Sequence, residues 1–231
     1  ADPTLHKIDG FQTDGLFDLA IEHLSAHANE PTLTVLSVEP PHPIFTAPEK
    51  YAEKWRDREI VLRENVELGK DYRKRGPHGT DLIDDLRTYY AMIENLDDNM
   101  ARLLAALREA GIADNTIVAL TADHGELLGS HGLLSKQRPW EESIGVPLIV
   151  SGAGAAAQVV DDPTCTEDLF PTLLGLAGIV PRDPKPGADL SGLIHGTAPG
   201  PGRDGVLLEF VAELRPDIVF HDEPWRGVRT R

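Results

Sequence analysis

The sequence predicts an α/β protein in which helices cover both faces of a mostly parallel sheet. Three observations support this prediction. Short apolar runs rich in β-branched residues alternate with amphipathic segments of helical length along the 231 residues. The connections between these runs are long, as parallel neighbours require. Polar residues follow directly after the apolar runs, which is where open α/β sheets bind their ligands.

A helix, a strand and a loop are predicted in turn near the start of the chain. Asp14 can cap a helix whose apolar residues recur at helical spacing. Residues 32–38 predict a buried strand. The prolines that follow fix an extended loop, and His42 lies rigidly within it. Residues 49–75 are highly charged and predict an irregular surface excursion that helps to shape a substrate pocket.

A long helix and a buried strand are predicted in the middle of the chain. Apolar residues from Ile93 to Leu107 repeat at helical spacing, within a helix expected from about residue 80 to residue 110. Gly111 is the expected helix terminator. The run 117–120 is short, apolar and β-branched, so it predicts a strand buried on both faces.

The last third predicts two more strands, separated by a helix. Residues 146–150 are a second buried strand, and residues 164–178 are helical. Residues 181–202 are rich in proline and glycine, which indicates a boundary or a long connection. Residues 206–210 are the final strand candidate.

Composition restricts the classes of partner. The formal net charge of −16 disfavours nucleic acid and anionic membranes. An anionic substrate therefore needs local positive charge, for which Lys136, His42, His131 and a metal ion are the candidates. The single cysteine excludes an internal disulfide framework and leaves the compartment open. No apolar run reaches transmembrane length, and no leader pattern is present at the start.

Asp123, His124 and Gly125 directly follow the strand predicted at 117–120. A carboxylate oxygen and an imidazole nitrogen together suit a divalent cation. Gly125 lets the backbone turn sharply or approach a ligand closely. Taken alone, the tripeptide favours the plainer interpretation of a strand end followed by an Asp-capped turn.

The wider stretch 121–150 resembles the metal-binding segment of the sulfatase family, within the alkaline phosphatase superfamily. The match in order and spacing covers thirty residues. The resemblance implies that Asp123 and His124 bind the metal, although Asn is common at the second position. It also implies that Lys136 contacts the sulfate or phosphate group being transferred. Arg138 is close enough in sequence to assist, but the family motif does not require it.

Two further histidines become candidates through the same resemblance. The helix, the strand and the Pro-His-Pro loop resemble the same family, so His42 is expected to contact the transferred group or to protonate the leaving alkoxide. A lone loop histidine would otherwise be read as solvated. His131 is a candidate for orienting Lys136 or the ester oxygen, with an equal case for a purely structural role.

The resemblance also implies cofactors and a domain division. A divalent metal is expected, calcium with manganese as the alternative. A formylglycine nucleophile, made in the family from a Cys/Ser-x-Pro/Ala-x-Arg motif, is expected N-terminal to this chain, because no such motif occurs here and Cys165 does not match it. The acidic pair that completes the family's metal site is absent as well. Residues 1–200 are therefore expected to be a partial catalytic domain, and residues 201–231 a connection into a small C-terminal subdomain, with both ends incomplete.

The expected function is a metal-dependent sulfuric ester hydrolase that acts on a small anionic sulfate ester. The isolated chain is predicted to be inactive, because the nucleophile is missing. Two alternatives remain open. One is a phosphonate monoester or phosphodiester hydrolase of the same superfamily, whose site would look identical in these segments. The other is a noncatalytic acidic binding protein that kept the fold; the oligomeric state is undetermined.

Overall fold

The computed structural model describes residues 8–66, 81–211 and 224–231. The described residues form two compact units. The first lies within residues 1–116 and 127–134, and the second within residues 117–126 and 135–231. The segment that carries the predicted metal ligands and lysine is thus shared between the units. In the described residues, no helix combines the length and the apolar character needed to cross a membrane.

Three helices build the first unit, and the long one organises it. Helices α1 (Gln12–Ala26) and α2 (Glu49–Trp55) both pack on α3 (Leu82–Glu109), which a short 3-10 turn at Ala113–Asn115 follows. The carboxylate of Asp81 caps α3 by accepting a hydrogen bond from the Ile83 amide at 2.9 Å. Gly111 follows the helix with a φ of +71°. The long helix and its glycine terminator are confirmed.

Asp14 has a different role from the predicted one. Helix α1 begins after Phe11, and Asp14 lies in its first turn. Its carboxylate accepts hydrogen bonds from the side-chain amides of Asn95 and Asn99, at 2.8 and 2.7 Å. Both asparagines are buried on the face of α3 that carries Leu103. The capping prediction is wrong because the helix begins two residues earlier and the half-buried Asp14 carboxylate accepts from two buried side-chain amides instead.

Part of the predicted surface excursion at 49–75 is helical. Tyr51 and Trp55 are four residues apart in α2, so they share the face that meets α3. The Tyr51 hydroxyl donates to Asp98 at 2.7 Å, and the Trp55 indole donates to Glu94 at 2.7 Å. The prediction of irregular structure is wrong over α2, because its charged residues conceal two aromatic anchors. The end of the excursion, beyond residue 66, lies outside the described residues.

The strand predicted at 32–38 is wrong. Residues 31–39 have no strand structure. Leu33 and Val35 are 85% and 83% exposed. A strand needs a hydrogen-bonded neighbour, and no described residue pairs with this run. An apolar pattern therefore does not place the run in a sheet.

The second unit contains two short strand pairs. Strand β1 (Val118–Thr121) pairs antiparallel with β2 (Leu148–Ser151), with Val118 opposite Ser151. Strands β3 (Gly205–Phe210) and β4 (Trp225–Thr230) also pair antiparallel. The short helix α4 is Glu141–Ile144, α5 is Leu169–Leu176 after a 3-10 turn at Thr166–Asp168, and α6 is Ser191–Ile194.

The strands predicted around 117–120, 146–150 and 206–210 are confirmed in place, but the burial predicted for the first two is wrong. Leu120 and Ile149 are 40% and 57% exposed. One face of the β1–β2 pair meets α5 and α6 across a small apolar cavity that Ala119, Val150 and Leu173 help to line. Helices therefore cover one face of this pair in the second unit. The boundary predicted at residue 200 stays a prediction, and residues 212–223 of the predicted subdomain lie outside the described residues.

A buried ion pair ties the second unit together. The Asp168 side chain is 1% exposed and is paired with both terminal nitrogens of Arg203. Its oxygens also accept from the backbone amides of Ala188 at 2.7 Å and Cys165 at 3.0 Å. Burial alone would raise the pKa of Asp168, but these hydrogen bonds and the guanidinium charge hold the pKa below its usual value. The resulting stability is present above the unfolded pKa of about 3.9 and is lost as the pH falls through the folded value.

Removing the guanidinium should destabilise the second unit strongly. We expect Arg203→Ala to lower the free energy of unfolding by about 3–5 kcal/mol, because it leaves a buried carboxylate without its cation. Arg226→Ala is the matched control. It removes an arginine that is 75% exposed and paired with Glu209, so its cost should stay below about 1 kcal/mol. Urea denaturation of the 231-residue chain measures both. Equal effects would contradict the role given to Asp168.

Candidate functional site

The turn at Gly125 brings the end of β1 against α4. The Gly125 amide donates to the Ser143 carbonyl at 2.9 Å. A Cβ at position 125 would lie 2.1 Å from the carbonyl oxygen of Glu142, which is far inside van der Waals contact. Only glycine therefore fits this approach. The expected close approach is observed, and the partner is the protein's own backbone.

Asp123 and His124 lie between β1 and this turn, with their donor atoms close together. The Asp123 carboxylate is 86% exposed, and its Oδ2 lies 3.4 Å from His124 Nε2. The other ring nitrogen, Nδ1, is 2.8 Å from the carbonyl oxygen of Gly125. Because a carbonyl only accepts, Nδ1 carries the hydrogen. In the neutral imidazole, Nε2 is then a lone-pair donor that faces a carboxylate.

This donor set fits a divalent cation. A metal-binding histidine commonly donates its second N–H to a carbonyl, as His124 does to Gly125, and this contact sets both the tautomer and the ring orientation. The neutral Nε2 and the carboxylate oxygen are both acceptors and form no hydrogen bond with each other. A cation between them would bind both. Among the described residues, no group of three or more His, Cys, Asp and Glu is placed to hold a metal ion. Asp123 and His124 therefore offer two donors of a candidate metal site, and their role as metal ligands stays a prediction.

Metal binding at this pair can be tested on the chain itself. We expect substoichiometric Mn²⁺ to broaden the ring-proton NMR signals of His124, because imidazole and carboxylate together hold the ion close to them. Asp123→Ala should abolish most of the broadening. His195 is the internal control, since its Nδ1 also meets a glycine carbonyl, that of Gly154 at 3.2 Å. Equal broadening of His124 and His195 would show nonspecific binding and contradict metal binding by Asp123 and His124.

The loop that carries Lys136 is held at three points. Ser135 and Gln137 flank the lysine with φ values of +70° and +72°. The Ser135 amide donates to the Glu126 carboxylate. The Gln137 carbonyl accepts from the Trp225 indole at 3.0 Å. The Arg138 amide donates to the Ser143 hydroxyl at 3.2 Å.

His42 and His131 belong to the first unit, where local contacts fix their rings. His42 lies in the exposed loop predicted for it, its amide donates to the Glu39 carbonyl at 3.0 Å, and its Nδ1 meets the Pro43 carbonyl. His131 has a φ of +57°. Its amide donates to the Asn65 carbonyl at 2.8 Å, and its Nε2 lies 3.2 Å from the Asn65 side-chain nitrogen. Nothing in the sequence pattern indicated the Asn65 contact.

Asp123, His124 and Lys136 are thus described together in the second unit, and His42 and His131 in the first. The expected convergence of Asp123, His124, Lys136 and His42 in one site stays a prediction, and so does the role of each candidate residue. Glu126, Ser143 and Trp225 are contacts that the sequence reasoning missed. Glu126 and Ser143 lie within the stretch 121–150, but only their hydrogen bonds reveal what they do.

Cys165 is unsuited to nucleophilic work. Burial raises the pKa of its thiol to about 11, with help from a hydrogen bond to Glu167 and from the charge of Asp168. At neutral pH only about one molecule in ten thousand would carry the reactive thiolate. The structure agrees with the sequence, in which Cys165 does not lie in the expected motif.

Comparison with known proteins decides the family. The sulfatase family model matches residues 2–179. The chain belongs to the sulfatase family. The ulvan-active sulfatase of Formosa agariphila is 32% identical over 212 residues, which is 89% of this chain and 39% of that protein.

Solved structures of the alkaline phosphatase superfamily share the sulfatase fold of this chain. The yidJ protein of Bacteroides fragilis, described as a sulfatase, aligns with a TM-score of 0.79 at 26% identity, over all of this chain and 50% of that one. The phosphonate monoester hydrolase SpPMH of Silicibacter pomeroyi aligns with a TM-score of 0.73 at 25% identity, over 86% of this chain and 44% of that one. The predicted α/β class is therefore confirmed, although both strand pairs of the described residues are antiparallel where a mostly parallel sheet was predicted. This chain spans about half the length of these relatives or less.

Proposed function

We propose that this chain forms part of a metal-dependent sulfuric ester hydrolase. The observation that carries the proposal is the pair Asp123–His124 at the end of β1, with the imidazole tautomer set for metal binding. Membership of the sulfatase family supports a sulfate ester as the substrate class. Lys136, eleven residues after Gly125, supplies a fixed cation for the group that is transferred.

Asp123 and His124 would hold the divalent metal, calcium or manganese. The bound ion would lower the pKa of an attached oxygen nucleophile and neutralise the charge of the ester. The Gly125 carbonyl keeps Nδ1 protonated, and Nε2 stays available as a ligand. The formylglycine expected in the family has no counterpart in this chain, because Cys165 lacks both the motif and the reactivity.

Lys136 and His42 are assigned to the ester. The Lys136 ammonium stabilises negative charge that grows on the oxygens of the transferred group, and it does so best when its position is fixed in advance. His42 binds the transferred group or protonates the leaving alkoxide, because an imidazole can donate a hydrogen bond or a proton through a ring nitrogen. Its Nδ1 meets the Pro43 carbonyl, so Nε2 is the atom for this task. His131 is a positioning candidate, held by Asn65.

A phosphonate monoester hydrolase is the second candidate, favoured by the similarity to SpPMH. A metal, a lysine and a histidine serve a phosphonate ester as well as a sulfate ester, because both transferred groups carry anionic oxygens. The ratio of kcat/KM for nitrophenyl sulfate and for a nitrophenyl phosphonate monoester, measured on a protein with the complete domain, separates the two. A preference for the phosphonate would overturn the sulfatase assignment.

The 231-residue chain by itself should show no turnover. The reason is that members of a catalytic unit contribute little when the nucleophile is absent. The measurement is release of nitrophenol from nitrophenyl sulfate, with and without calcium or manganese. Metal-dependent multiple turnover would show that this chain contains every essential group.

Lys136→Ala and Asp123→Ala should fail in different ways in a protein with the complete domain. Loss of Lys136 should lower kcat by about a hundredfold to a thousandfold without changing metal affinity, because the ammonium acts on charge that develops during transfer. Loss of Asp123 should weaken metal binding, and excess metal should recover part of the activity by mass action.

Lys136→Arg is the matched variant for the lysine. A planar guanidinium does not replace a compact ammonium, so it should recover only part of the lost rate. The measurements are kcat and the metal dissociation constant for all three variants. A change in kcat below about twofold in Lys136→Ala, as expected of an ordinary surface residue, would remove Lys136 from the site.

A further inference from the structure

We propose that Trp225 is a positioning residue for Lys136, acting through the hydrogen bond from its indole N–H to the Gln137 carbonyl. The two residues in contact are 88 positions apart. The proposal rests on the function proposed for Lys136. It adds a residue from β4 to the site, far from the motif that carries the resemblance.

The backbone on both sides of Lys136 has an unfavourable conformation. Ser135 and Gln137 both have φ near +70°. Residues with a Cβ adopt this left-handed region at a cost in free energy, so two of them in three positions do not persist without outside support. The Oε1 of the Gln137 side chain gives no such support, because it is buried and finds no partner among the described residues. The backbone contacts must therefore hold the loop.

Three hydrogen bonds between described residues hold the loop, and they differ in origin. Glu126 and Ser143 lie nine residues before Ser135 and five residues after Arg138, so both belong to the same local stretch of chain. Trp225 comes from β4. Its hydrogen bond therefore fixes the loop against a separate element of the second unit.

Trp225 is itself well placed to act as a fixed hydrogen-bond donor. It is the first residue of β4 and lies opposite Phe210 of β3. The two rings are stacked, with centroids 6.1 Å apart and planes inclined by 23°. An indole can only donate, and a partly buried one needs an acceptor. The stack sets the direction of the N–H, and the Gln137 carbonyl receives it at 3.0 Å.

These contacts matter because a lysine side chain is flexible. The ammonium sits on a stem of four carbons, so its position depends on how precisely the Cα is held. A group that stabilises charge in the transition state must be fixed before the reaction begins. Trp225 should therefore affect kcat more than KM.

Trp225→Phe is the decisive variant, because it removes the donor and retains a ring to stack on Phe210. In the 231-residue chain we expect hydrogen exchange of the Ser135 and Arg138 amides to become at least about tenfold faster. The reason is that the loop opens more often when the Trp225 hydrogen bond is lost, and both amides are hydrogen-bonded only while it is closed. Exchange along β3–β4 should change by less than about twofold. Trp55→Phe is the control, because it removes an indole hydrogen bond to Glu94 in the first unit.

The outcomes decide the proposal separately from the function. Unchanged exchange at Ser135 and Arg138 would overturn it, and so would a general loss of protection across β3–β4, which marks a merely structural residue. In a protein with the complete domain, Trp225→Phe should lower kcat by about tenfold with KM within twofold, as outer-contact substitutions do. Faster exchange with unchanged kcat would also overturn it. If no ester is turned over at all, the proposed function fails, while exchange still reports whether Trp225 holds the loop.

Discussion

Ser143 makes the two hydrogen bonds on which the part of the candidate site in the second unit depends. Its carbonyl accepts from the Gly125 amide at 2.9 Å, and its hydroxyl accepts from the Arg138 amide at 3.2 Å. One buried serine in the short helix α4 therefore holds both the turn after Asp123 and His124 and the loop that carries Lys136. The carbonyl contact needs glycine at 125, because any Cβ there would collide with the neighbouring carbonyl of Glu142. Ser143 thus positions the candidate metal ligands and the loop of Lys136 relative to one another within the second unit.

The charge of the chain sharpens the need for such precise placement. A net charge of −16 works against the approach of an anionic ester. At physiological ionic strength, however, charges separated by more than about 8 Å are largely screened, so nearby groups decide the outcome. The exposed carboxylate of Asp123 would repel the ester unless a cation is bound to it. In the proposed function, a metal held by Asp123 and His124 would act together with the ammonium of Lys136 to make the site attractive to an anion.

The parts of the fold that local patterns encode were predictable from the sequence. The long helix α3, its Gly111 terminator, and the positions of β1, β2 and β3 follow from apolar periodicity and from glycine chemistry. Residues 32–38 show where this reasoning stops. Their pattern is that of a strand, yet Leu33 and Val35 are exposed, because strand formation depends on a pairing partner that the pattern does not specify.

The site divides in the same way. The order Asp123, His124, Gly125 and Lys136 was readable as a motif, because it lies within fourteen consecutive residues. The hydrogen bonds that orient these groups were not readable. Gly125 orients His124 through its carbonyl, and Trp225 reaches Gln137 from 88 residues away. Contacts of the second kind depend on the folded arrangement, which no spacing rule reports.

Backbone strain supplies an independent indication of where the function lies. Leu128, His131, Ser135 and Gln137 all have positive φ values, and all four fall within ten consecutive residues. Each is a residue for which this conformation is unfavourable, so local preference cannot explain the cluster. Side chains and backbone from elsewhere oppose the cost, among them Asn65 at His131 and Trp225 at Gln137. A stretch that breaks local rules and is held by distant contacts is where a protein is expected to keep a working geometry. Here that stretch includes His131 and Lys136, the two candidate residues that follow Asp123 and His124 in the sequence.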